Sequence, residues 1–409
     1  MRHDVTIVGA GHAGLALSAA LSVRGIEHTV LERDGVGSTW RKRWDSFCLV
    51  TPNWAIDLPD GGYDGAAPDA YMPRDDIVGF LERYAARTSA PVQTGVDVTA
   101  VRATEGGFEL DATGVGSVRT RVLVAATGAF QRPFRPEGLA SISPEVPVID
   151  ASRYTNPGAL PGGGVLVIGS GQTGAQLSEE LRDDGRDVVL ACGAAPWVPR
   201  RLGDHDIVWW LARTGFFDQP VSSLSDPAAR LVSNPLTTGH GGGRDLHYRT
   251  LQAMGVTLAG RFLGSDGVRV AFDDDLAACV AFGDARRSEL LDLVRRTIAH
   301  EGLPDVEIEP PPPFVADAPR SLPVSRFGSV IVTVGFRPDY GSWMPWPGAF
   351  DDMGFPIQTD GVSGVVDGLH FMGVHFLRKR KSSILLGARE DAEVVADGIA
   401  ARLGAAPAG

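Results

Sequence analysis

A short glycine pattern occurs twice in this chain, and nothing else in the sequence restricts the fold as much. Residues 4–8 form an apolar run that leads into GAGHAG, with Gly9, Gly11 and Gly14. The helix-forming segment LALSAALSVRG follows, and then HTVLE, which ends at Glu32. Gly169 stands 160 positions after Gly9, and the order repeats around it. The apolar run 165–168 leads into GSGQTG, with Gly169, Gly171 and Gly174; AQLSEELRDDG and DVVLACG come next. Each copy reads as strand, tight turn, helix, strand. The first glycine permits the turn, the second lets backbone approach a pyrophosphate, and the third lets the helix pack closely on the strand. The helix N-terminus then presents unpaired N–H groups to phosphate.

The copies differ where their second strands end. In the first, Glu32 falls 18 residues after Gly14, where a carboxylate can accept hydrogen bonds from a ribose; Arg33 follows it. In the second, Cys192 and Gly193 stand at that place, so no carboxylate would repel a 2′-phosphate. Arg200 and Arg201 lie a few residues on and can bind one, which favours NADPH over NADH. A first site at the N-terminus is expected to hold FAD, and a second, inserted site a nicotinamide nucleotide contacted by Gln172 and Thr173.

The predicted fold class is α/β, with two Rossmann-like dinucleotide-binding domains and a β-meander between residues 95 and 128. An FAD domain of residues 1–157 and 326–409 is interrupted by an NAD(P)H domain, 158–325, that carries its own helical and loop insertion. RVLVAATG, with Thr127 and Gly128, and SVIVTVG, ending at Gly335, are the candidate strands where the chain leaves the first domain and returns to it. EPPPP at 309–313 reads as a stiff surface linker. Near the C-terminus LHFMG, with Gly373, reads as a buried strand, and the apolar spacing from Leu385 to Leu403 as an amphipathic helix capped by Ser382 or Ser383.

Composition removes other classes. The net charge of −12 disfavours nucleic acid and anionic membrane surfaces as partners. No run of 18 apolar residues is present to span a membrane. The N-terminal strand leaves no room for a cleavable leader, so a cytoplasmic location is expected. Cys48, Cys192 and Cys279 are far apart, with no CxxC and no metal-ligand spacing.

The chain resembles bacterial flavin-containing monooxygenases, the single-component flavoprotein class, over nearly its whole length. The resemblance rests on GAGHAG with Glu32, GSTWRKRWDSFCLVTPNW, ATGAFQRP, GSGQTG, GFRPDY and DGLHFMGVHFLRKRKSS. It implies that Trp40 and Arg41 contact FAD, and that NADPH reduces the flavin. Reduced flavin then captures O2 as a C4a-(hydro)peroxide that oxygenates a small molecule. Nitrogen or sulfur leads as the target; insertion beside a ketone, an NAD(P)H oxidase or diaphorase, and a non-catalytic flavoprotein are the alternatives. Thr51 and Asn53 are the candidates to meet the flavin C4a. Asp150 stands where the family places a histidine in its linker fingerprint, and Ala194 where many relatives place an arginine for the 2′-phosphate. The polar stretches 237–250 and 378–381 each read either as a wall of the site or as a solvated loop. Oligomeric state is left open between a monomer and a homodimer.

Overall fold

The computed structural model describes residues 2–232 and 234–404. The first glycine pattern folds as strand β1 (Arg2–Val8), helix α1 (His12–Val23) and strand β2 (His28–Glu32). An antiparallel meander, Val98–Thr104 and Gly107–Ala112, leads into strand β3 (Gly116–Ala125), which crosses back to pair parallel with β1. The second pattern folds as strand β4 (Gly164–Ile168), helix α2 (Gln172–Asp183) and strand β5 (Val188–Ala191). Strand β6 (Phe327–Val332) then pairs parallel with β4.

The two parallel cores share one topology. In the first sheet the order is Leu369–Phe371, β3, β1, β2, Val92–Thr94; in the second it is Thr257–Ala259, β5, β4, β6, Val148–Asp150. β3 and β6 therefore occupy equivalent slots. Both sheets carry helices on their faces, so their strands are apolar on both sides, as a parallel sheet requires. Ile7, Val30 and Val124 have no exposed surface in the first, nor do Val165, Val167 and Leu190 in the second.

This topology moves the expected domain boundaries. SVIVTVG is not a return to the first domain: it is a core strand of the second, as RVLVAATG is of the first. Val148–Asp150 also belongs to the second sheet. The chain passes between the sheets where Arg132–Pro133 pairs antiparallel with Phe336–Arg337. The physical reason is the repeat itself. A crossover strand of either unit ends in the same small-residue turn, so sequence alone cannot say which sheet it joins.

The C-terminal helix α3 (Ala388–Leu403) starts later than expected, after two 3-10 turns, and Gly387 rather than a serine stands at its N-cap. Ser382 instead accepts the backbone N–H groups of Arg378 and Lys379. No helix among the described residues is long and apolar enough to cross a membrane.

Candidate functional site

The loops that follow β1, β3 and Leu369–Phe371 meet at one end of the first sheet, where open α/β sheets bind ligands. Gly9 adopts φ +111°, and a Cβ there would stand 2.5 Å from the Ala126 carbonyl oxygen; a Cβ on Gly14 would stand 2.0 Å from the Gly9 oxygen. A Cβ on Gly11 would meet no atom within 4 Å. Two glycines thus close the turn on itself, and the third faces open space at the head of α1. The open space at Gly11 and the head of α1 have the shape and donors that fit a dinucleotide pyrophosphate such as that of FAD.

Glu32 is buried and braces the loop. Its Oε2 accepts from the Ala10 N–H at 2.8 Å, and its Oε1 accepts from Asp34 N and Ser38 Oγ. Each oxygen of a carboxylate accepts more than one donor, so a ribose hydroxyl can join Ala10 on Oε2. Gly37, at φ +69°, donates its N–H to the Ala10 carbonyl and starts the short helix Ser38–Arg41. That helix sets the Trp40 ring 6.2 Å from His12 of the fingerprint and 5.8 Å from Phe47. Arg41 points away to an exposed ion pair with Glu82, and Arg33 is exposed.

The Thr127–Gly128 turn is fixed from its own loop. Gln131 donates to the Thr127 hydroxyl and the Gly128 carbonyl, each at 2.8 Å, while its own carbonyl accepts from Asp339 N on the returning chain. Gly373, at φ +69°, lies so close to α1 that a Cβ would come within 2.8 Å of the Ala13 Cβ. Two histidines border this end of the sheet. Burial pushes His12 and His375 each down to about 4, so both rings are neutral near pH 7.

The second cradle repeats the first. Gly169 adopts φ +101°, and a Cβ on Gly174 would stand 1.9 Å from the Gly169 oxygen. Gly171 caps α2 with φ −65°, ψ −175°, close to the φ −77°, ψ −179° of Gly11 at the head of α1. Thr333, in the slot of Ala126, donates to the carbonyls of Ile168 and Gly169. The pairing register puts Val8 opposite Leu31 and Ile168 opposite Ala191, so Cys192 occupies the position of Glu32. Thr173 is half-buried in the first turn of α2. Gln172 is turned onto a neighbouring loop, where its amide exchanges hydrogen bonds with the backbone of Thr237.

Two expectations need correction, those for Arg200 and Asn53, and the open reading of 378–381 is resolved. Arg200 is not a free phosphate ligand. It is 2% exposed, and its Nε and Nη2 bind Asp206. Its Nη1 reaches the Val50 carbonyl at 2.8 Å and the Thr237 hydroxyl, and its guanidinium stacks 4.6 Å from the Tyr71 centroid. Tyr71 also donates to Asp206. Val50 and Tyr71 belong to the first unit, so this network clamps the two units together; only Arg201 remains exposed. Asn53 is a staple: its Nδ2 donates to the Ala67 carbonyl at 2.9 Å and its Oδ1 accepts from Met72 N at 2.8 Å, which uses its amide on backbone. Thr51 is half-buried two residues before it. The cationic run 378–381 is largely paired: Arg378 binds Asp360, Glu390 and Asp391, while Arg380 binds the Gln219 amide oxygen and stacks on Phe216 and Phe376. Lys379 and Lys381 pair with Asp218 and Glu390, which is held down to about 2, its lysine and arginine partners outweighing burial.

Asn53→Ala is accordingly expected to lower stability by about 1–3 kcal/mol, because the buried Met72 N–H loses its acceptor. Urea unfolding monitored by circular dichroism measures this. An unchanged midpoint would remove the staple.

Asp150, at the family's histidine position, forms a two-pronged ion pair with Arg135. The polar stretch 237–250 is anchored at both ends, with Thr237, Thr238 and residues 246–248 buried and 241–245 mostly exposed. Arg244 pairs with the buried Glu179, Asp245 accepts Arg200 N, and His247 caps the helix Tyr248–Ala253. Among the described residues no cluster of His, Cys, Asp or Glu could hold a metal ion.

Comparison with known proteins agrees with this geometry. Residues 6–211 match the model of the family described as pyridine nucleotide-disulphide oxidoreductase. An uncharacterised oxidoreductase of Geobacillus kaustophilus is 28% identical over 98% of this chain and 99% of its own length. An indole-3-pyruvate monooxygenase of Oryza sativa is 34% identical over 51% of this chain and 52% of its own, about half of each. A flavin-containing monooxygenase from Stenotrophomonas maltophilia superimposes with a TM-score of 0.70 at 18% identity, covering 98% of this chain and 99% of that one.

Proposed function

Because the chain belongs to the pyridine nucleotide-disulphide oxidoreductase family and is a flavin-monooxygenase-type oxidoreductase within it, we propose that it binds FAD at Gly9–Gly14 and NADPH at Gly169–Gly174 and oxygenates a small molecule with O2. NADH is the alternative donor. The observation that carries this reading is the duplicated cradle combined with the state of the cysteines. All three are buried, and burial pushes the Cys48 and Cys279 thiols up to about 11 and Cys192 well above its ordinary value. A thiol held protonated is a poor nucleophile, which argues against disulphide exchange as this chain's reaction.

FAD, when bound, supplies acceptance of hydride from the nicotinamide and reaction with O2. The chain's own residues supply the rest. The N–H groups at the head of α1 would hold one pyrophosphate and those of α2 the other. Trp40, Phe47 and Phe130 would keep water from the reacting end, and neutral His12 and His375 would add no charge there. The missing carboxylate at Cys192 favours NADPH, with Arg201 as the remaining arginine for its 2′-phosphate. The name of the Oryza relative, an indole-3-pyruvate monooxygenase, supports a small organic acid as substrate; nitrogen or sulfur oxygenation stays our first choice of reaction, carried by the family resemblance alone.

The test mixes pure protein with NADPH in air and compares NADPH consumed with H2O2 released as amines, sulfides and ketones are added. A fall in H2O2 per NADPH with one of these classes is expected. Stoichiometric H2O2 with every compound would make the protein an oxidase, and no NADPH consumption would overturn the reading.

A further inference from the structure

The side chain of Arg43 is unlike its neighbours. Arg74 on the adjacent helix pairs with Asp45 and Asp75, and Arg41 pairs with Glu82. Arg43 has no carboxylate partner among the described residues, and its Nε is buried with no hydrogen-bond acceptor. Aromatic rings surround it instead: its guanidinium lies 4.8 Å from the Phe130 centroid and 5.7 Å from that of Phe47. Phe130 in turn meets Phe336 at 5.4 Å and His375 at 5.5 Å, edge to face, yet remains 45% exposed. Desolvation lowers the Arg43 guanidinium to about 10, with no acidic group offsetting it. A desolvated charge without a counter-ion is costly, and this half-buried side chain stands in a chain with 50 acidic residues. The structure keeps an arginine uncompensated at the end of the sheet where the FAD cradle opens.

We propose that Arg43 binds the carboxylate of the substrate, whose apolar or aromatic body packs against Phe130 and Phe336. The rings flank the guanidinium and Nε is sealed, so its two Nη groups form the edge that would meet a planar anion, a geometry in which arginine recognises carboxylates. The pyrophosphates have their own backbone cradles at Gly11 and Gly171, so the anion is assigned to the substrate. The exposed face of Phe130 gives the rest of the molecule a surface. This inference rests on the proposed oxygenase reading and narrows its substrate class to organic acids.

The test uses the FAD-loaded protein with 3-phenylpropionate and its neutral isostere 3-phenylpropionamide, titrated by calorimetry. The acid is expected to bind at least ~10-fold tighter than the amide, equal to about 1.4 kcal/mol. Arg43→Met should remove that preference while keeping its FAD, and Arg43→Lys should keep part of it. Equal affinities in the wild type, no binding of the acid, or a preference that survives in Arg43→Met would overturn the proposal. Loss of FAD from Arg43→Met would also overturn it, by moving the arginine to the cofactor. Binding is read without turnover, and FAD content and reduction by NADPH are measured on the same preparation. Failure of the oxygenase reading is therefore seen separately from failure of the carboxylate site.

Discussion

Gly11→Val is expected to give a folded protein that has lost its FAD. A Cβ at Gly11 meets no protein atom within 4 Å, and the residue's φ of −77° is open to any side chain. The fold therefore tolerates valine. The same open space is what a pyrophosphate needs in order to reach the N–H groups at the head of α1, so the isopropyl group would displace it. FAD affinity should fall by ~100-fold or more, about 3 kcal/mol, with little change in melting temperature. Gly14→Val is the matched contrast. Its Cβ would stand 2.0 Å from the Gly9 carbonyl oxygen, so α1 must leave β1, and the cost exceeds the ~1–3 kcal/mol of ordinary overpacking. Flavin absorbance after desalting and thermal unfolding separate the two. A yellow Gly11→Val protein, or a Gly14→Val protein as stable as the wild type, would contradict the cradle.

Arg200→Met is expected to destabilise the protein by about 3–5 kcal/mol, the range for breaking a buried ion pair. The substitution keeps most of the volume but strands the Asp206 carboxylate, which is 7% exposed and also caps the helix Ile207–Arg213. It also frees the Val50 carbonyl, which joins the first unit to the second. Arg200→Met/Asp206→Leu should recover part of the loss, because it removes the stranded charge as well. Denaturant titration measures both. If the single variant matches the wild type, the clamp carries no stability.

The repeated units were legible because their signals are local. Turn glycines, the apolar strand beside them and the helix after them lie within about 30 residues, the length of one βαβ unit. The meander was legible for the same reason, with glycine turns between short alternating strands. What sequence misplaced depended on distant partners. SVIVTVG carries no mark of which sheet it will join, because the slot beside β4 and the slot beside β1 ask for the same apolar strand. Arg200 looks like an exposed phosphate ligand until Tyr71, 129 positions earlier, is seen stacked on it. Asn53 offers the polar group a flavin site would use, but its partners Ala67 and Met72 lie across a loop whose closure the local pattern does not encode. Arg43 went unnoticed beside Trp40 and Arg41, since a missing counter-ion is visible only once every neighbour has been placed.

The central claim is that two cradles of one design bring a nicotinamide to a flavin. Anaerobic titration of the purified protein with NADPH, followed in the visible flavin band, tests it most directly. The account predicts a yellow protein whose band bleaches with one equivalent of NADPH and returns when air is admitted. A protein that holds no flavin after reconstitution with FAD, or whose bound flavin stays oxidised with both NADPH and NADH, would contradict it.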